Sequence, residues 1–299
     1  MKLLLACGSM KIARWPVRLA SWQMWLIMRD HRRKVTRGFA GLAKTARESG
    51  RTGPLTEIPP AKLTRLYFQH RSLAGIAPVL CVENNTRFQE SMVVTENFSA
   101  LSEAAWAGRG LVVASTHMGA MGIATALITQ ENIPVIILRD EHFRVLEGTR
   151  HGKRFFLGAR PIFLEGGDPT SVSKALLTCA RHLRNGGVVC YTVDGGHGNR
   201  YYEGKVFNRT VELRTGLVEL AIRCGSPVVS VFSHIQQDHV HVRVSDAEML
   251  TTKEDMARWC RTFCADWENA YLNQPTAVTW VDTDRKLASH PHPEEFTCP

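Results

Sequence analysis

A chain of 299 residues with 44% apolar and 22% charged side chains has the composition of an ordinary globular protein, long enough for one α/β domain or two smaller ones. Its net charge of +9 favours anionic partners: nucleic acid, anionic lipid or an acidic carrier protein. Eight cysteines include only one close pair, Cys260 and Cys264, and no paired CxxC motifs, which argues against a structural zinc site and for reduced thiols.

In chain order, the opening "MKLLLACGSMK" is too short an apolar run for a secretory signal. From Trp15 to Met28 the chain is apolar but interrupted by Arg18, short of the ~20 residues a spanning helix needs. Trp15, Leu19, Trp22 and Leu26 share one helical face, and Arg29, Arg32, Arg33 and Lys34 follow. Tryptophan beside clustered cations suits a helix lying in the headgroups of an anionic bilayer. Residues 37–60 read as a polar, flexible linker, so 1–60 is expected to be a basic amphipathic arm and linker. Residues 62–107 read as mostly helical. Apolar strands are expected at 111–116, 134–138, 160–164, 187–192 and 227–232. Helical patterns fall between them, at 119–130, 141–156, 169–185 and 213–224. "HVHVRVS" at 239–245 alternates like an exposed antiparallel edge, and a long helix spans about 252–273. Strands apolar on both faces, alternating with helices, predict an α/β domain over 61–285 with its sheet covered on both sides. The Pro-rich 286–299 is expected to be a disordered tail.

Ligands of open α/β sheets sit beyond the carboxyl ends of the strands. His117 stands at such an end, in "LVVASTHMGAMG", with Gly119 and Gly122 opening the next helix. A histidine beside a helix start that favours negative charge is what a general base for acyl transfer needs. Asp194 likewise ends a strand, before the "GGHGN" loop, although an Asp-Gly pair also suits a plain turn. No GxGxxG, P-loop or GxSxG motif competes, and no cofactor is expected. His239 with His241, and His290 with His292, have ligand-like spacing but no third ligand, so no metal is expected.

The order His117, then "GGVVCYTVD", then "KVF" followed by "GLVELA" and "GSPVVSVF", resembles the late lipid A acyltransferases. These are lauroyl- and myristoyl-transferase-like members of the lysophospholipid acyltransferase superfamily. The resemblance covers about 105–282, with Trp280 in the place of a C-terminal tryptophan, and more loosely the basic N-terminus. It implies a mixed, mostly parallel sheet flanked by helices, at the cytoplasmic face of the bacterial inner membrane. It implies an acyl group moved from an acyl carrier protein or coenzyme A to a hydroxyl on a lipid. His117 is then the base, Asp194 matches the post-strand aspartate, and Arg139 and Arg150 fall where the family holds phosphate or acceptor oxygens. Gly195 and Gly196 let backbone approach the substrate, and the Gly119 turn lies at the same site.

One position departs from the pattern. The family's motif is histidine, four residues, then an acid; here that last position is Gly122. Three readings stand. Another carboxylate replaces it, Asp194 first, then Asp140 or Glu141; or the acceptor is an amine, as in aminoacyl transfer; or the protein binds an acylated carrier or lipid without catalysis.

Overall fold

The computed structural model describes residues 10–83, 86–165, 168–195 and 200–278. It opens on two consecutive helices, α1 (Met10–Ile27) and α2 (Arg29–Glu48). In α2, Val35, Phe39, Leu42, Ala43 and Ala46 recur at helical spacing and are all buried. The segment expected to be a flexible linker is therefore in large part a core helix, ended at Gly50 with φ +71°. After the single turn α3 (Pro54–Glu57), the long helix α4 (Pro60–Val82) takes up this stripe. The Phe39 ring meets Tyr67 at 6.2 Å, and Thr36 and Thr64 share a hydroxyl hydrogen bond of 2.9 Å.

Next come α5 (Thr86–Met92), a short strand β1 (Val93–Glu96) and α6 (Phe98–Trp106). The alternating part of the chain contains β2 (Leu111–Ser115), α7 (Ile123–Gln130), β3 (Val135–Asp140), α8 (Arg150–Phe155), β4 (Arg160–Leu164), α9 (Pro169–Arg184) and β5 (Val188–Thr192). Then follow the hairpin β6 (Tyr201–Val206) and β7 (Arg209–Arg214), α10 (Gly216–Cys224), β8 (Val228–Gln236), β9 (His239–Val244) and α11 (Lys253–Asn273).

The sheet has seven strands in the order β1-β9-β8-β2-β5-β3-β4. Every neighbouring pair is parallel except β8 with β9. This is the mixed, mostly parallel sheet flanked by helices that the resemblance implies. Successive β2 residues enter opposite clusters: Val112 and Ala114 pack with α2, α4 and α11, while Leu111 and Val113 pack with α4, α6 and α7. Burial on both faces is why these strands are apolar throughout.

Three local expectations are corrected, and one element is new. β9 is antiparallel to β8 as its alternation predicts, but it is not an edge, because β1 covers it; β1 itself lies in the stretch expected to be helical. The first site helix starts at Ile123 rather than 119. The 141–156 helix is broken into a 3₁₀ turn, Glu141–Leu146, and α8, separated by Gly148 at φ +74°. Finally, 201–214 forms a hairpin whose two turn residues, Phe207 and Asn208, both have positive φ, as a two-residue loop matching strand twist requires.

Candidate active site

The site is built by strand register. β2 and β5 run side by side with Ser115 opposite Thr192, so the residues two beyond each, His117 and Asp194, face one another past the sheet's carboxyl edge. The turn after β5 is pinned from both sides. Val193 N–H donates to Ser115 at 2.8 Å, and the Val193 carbonyl accepts from Arg214 N–H at 2.6 Å. Asp194, buried with its side chain fully covered, accepts from His117 Nδ1 at 2.9 Å and from the His117 backbone N–H at 3.0 Å. One carboxylate thus fixes both the ring and the backbone of the histidine. The His117 side chain remains 35% exposed. With Nδ1 as the donor, Nε2 keeps its lone pair for a proton.

Around the end of β2 and the turn that follows it lies a small cavity of about 20 Å³, lined by Thr116, Met118, Gly122, Thr125, Cys190 and Ser233 among others. Thr116, 2% exposed, makes no side-chain hydrogen bond among the described residues. A buried hydroxyl with an unspent bond beside the pair is a feature that sequence reading passed over, since an "ST" at a strand end looks like strand filler. Burial pushes the Cys190 thiol up to about 12, so it is a wall of this cavity and no nucleophile. Arg214 was also passed over; it donates to the Gly195 carbonyl at 3.1 Å and supports the loop after Asp194.

The glycines divide by role. Gly119 has φ +57°, a side chain there would run into the Ser233 carbonyl of β8, and its N–H is spent on Ala277 at 2.6 Å. Gly119 thus lets the turn after His117 pack against β8 and the 275–278 segment. Gly122, at φ +82°, caps α7, and a Cβ there would clash with Leu157 Cδ1. The position where the family places its acid is therefore disfavoured chiefly by backbone conformation, and a side chain there would also have to push the Leu157 methyl aside. Gly195 packs against Thr192 and Arg214, and Gly196 lies outside the described residues, as do Trp280, His290 and His292.

Arg139 ends β3, the strand next to β5, at the same edge of the sheet as the pair. Its guanidinium lies 5.9 Å over the Phe155 ring, its Nε is buried and unpaired, and burial lowers its pKa while Cys190 and Asp140 oppose that shift. Arg150 is exposed at the start of α8, its charge felt by Glu83, and no described contact joins it to His117. Of the reserve carboxylates, Glu141 is engaged by Arg144. His239 Nδ1–H donates to the Gln237 carbonyl at 2.9 Å, and His241 stacks on His234 at 4.9 Å. No group of three or more metal-ligating side chains occurs among the described residues.

The family model for bacterial lipid A biosynthesis acyltransferases matches residues 77–283. The chain belongs to that family. The matched stretch runs from within α4 to beyond the last described residue and contains every part of the site above. The protein is thus a lipid A acyltransferase-family enzyme, an acyltransferase with an acyl donor and a lipid acceptor. No individual curated protein matches the sequence. Within this family fold, the carboxylate beside the histidine comes from the neighbouring strand rather than from the helix that follows it.

Proposed function

We propose that the protein moves an acyl group from a carrier-protein or coenzyme A thioester to a hydroxyl or amine of a lipid or glycolipid, with His117 as general base. The observation that carries this reading is the 2.9 Å hydrogen bond from His117 Nδ1 to the buried Asp194 carboxylate. Asp194 holds the ring so that Nε2 accepts the acceptor's proton as its oxygen or nitrogen attacks the thioester carbonyl. The tetrahedral intermediate collapses, the C–S bond breaks, and the imidazolium returns its proton to the leaving thiolate. Arg139, at the same sheet edge, suits an anionic group on the acceptor.

We place this chemistry at the surface of a membrane, peripherally on the cytoplasmic face of the bacterial inner membrane. Leu19, Trp22 and Leu26 lie exposed along α1, on the face expected from the sequence, while Ser21 on the opposite side is buried against α4. Among the described residues no helix is long and apolar enough to cross a membrane. The six described cysteines are all free, which suits a reducing compartment.

The test is discharge of acyl- and aminoacyl-carrier thioesters by purified protein with membrane lipid extract, beside His117→Ala. Lipid-dependent discharge in the wild type and none in the variant is expected. If both leave every thioester intact while still binding the carrier, the protein is a binding protein and the transfer reading is wrong.

A further inference from the structure

At the junction of α1 and α2 the chain lays out a cleft of about 580 Å³, lined by Trp25, Arg29, Arg32, Arg33, Thr36 and Arg37. The cleft is anchored from below. The Trp25 ring packs edge-on against the buried Phe68 ring at 5.6 Å, and the Arg32 guanidinium stacks over Trp25 at 4.7 Å. The Thr36 hydroxyl donates to the Arg32 carbonyl at 2.9 Å, fixing the turn that presents Arg33 and Arg37. Its charge is almost unanswered. Arg33 reaches Asp30 only at 3.7 Å on its own helix, and Arg29, Arg32 and Arg37 form no ion pair among the described residues.

What adjoins the cleft decides the occupant. Leu26, Ile27 and Met28 immediately precede Arg29 and are exposed, Ile27 by 81%, and Trp22 lies one turn before Leu26. Apolar side chains beside unpaired guanidiniums match a boundary where acyl chains give way to phosphates. An acidic protein surface would answer the arginines and leave this apolar ridge in water.

We propose that the cleft formed by Arg29, Arg32, Arg33 and Arg37 over Trp25 binds the phosphate groups of anionic lipid headgroups, seating the enzyme on its membrane. The proposal rests on the reading of the protein as a membrane-surface acyltransferase and names the residues that hold the surface. Each guanidinium offers two parallel donors to a phosphate, a geometry that a lysine does not reproduce.

The test is co-sedimentation of the full chain with vesicles of phosphatidylcholine alone or with about one-third phosphatidylglycerol. The triple variant Arg29→Gln, Arg33→Gln, Arg37→Gln is expected to lose about a hundredfold in affinity for the anionic vesicles, at about fivefold per charge, and to match wild type on neutral ones. The exposed arginines of another face, in Arg160→Gln, Arg181→Gln, Arg184→Gln, remove the same net charge and are expected to leave binding nearly unchanged. Equal losses in the two variants would reduce the effect to net charge and overturn the site. So would undiminished anionic-vesicle binding by the first variant, or loss in it of acidic carrier-protein binding alone. The readout involves no acyl transfer, and His117→Ala is expected to bind vesicles like wild type. Failure of the chemistry and failure of the cleft are thus separable.

Discussion

Asp194 does at residue scale what the missing acid of the helix would have done. Its carboxylate reaches both the imidazole and the backbone N–H of His117, so Asp194→Asn should keep the fold and misorient the ring. By analogy with the serine-protease aspartate, turnover should drop by about 10³–10⁴, measured as thioester discharge under saturating acceptor. Restoring the family's pattern at the other position should fail. Gly122→Asp places a side chain at φ +82° against the movable end of Leu157, at a cost of about 1–2 kcal/mol read as a lower urea midpoint, and gains no activity. An active, stable Gly122→Asp enzyme would show that the acid belongs there after all. The candidacy of His117 and Asp194 was legible because both end apolar strands before glycines. Their pairing was not, because they lie 77 positions apart and only sheet order makes them neighbours.

The same limit appears at the scale of elements. The strands of the parallel core were legible from continuous apolar runs, since a strand covered on both faces has no polar side to write. β1 was not, because its four residues have only one partly buried member and its partner β9 lies far along the chain. α2 was misread for a different reason: its exposed face is crowded with arginine and lysine, which hid the apolar stripe at Val35, Phe39, Leu42 and Ala46. That stripe makes a prediction. Phe39→Ala should cost about 3–5 kcal/mol in equilibrium unfolding, the loss expected of a buried phenylalanine, where a linker residue would cost almost nothing. The hairpin β6–β7 was hidden in a block read for its motif; its Phe-Asn turn and its close seat on α11, where Gly204 meets Cys264, give it its place.

For the whole molecule, buried histidines set how stability responds to acid. His234 is held down to about 4, chiefly by burial and then by the charge of stacked His241; His70 and His182 are lowered by burial too. These groups fold as neutral rings. Their stability is therefore present above the unfolded value near 6.5 and is lost as pH falls toward the folded values. Thermal unfolding should show the melting temperature already declining between about pH 6.5 and 4, ahead of the carboxylates. His234→Gln should flatten that decline by about 2 kcal/mol, a figure discounted for the ring's partial exposure. A profile flat down to pH 4.5 would contradict the neutral burial of these rings. What the sequence determined by itself was what local chemistry writes into neighbouring residues: the α/β class, the apolar strands, the basic Trp-rich helix and the glycine-flanked His117 and Asp194. The tertiary structure alone decided which strand lies beside which. That order brings Asp194 to His117, sets Gly122 against Leu157 and turns an apparent linker into core, because pairing between distant strands and packing between distant helices leave no mark at fixed spacing along the chain.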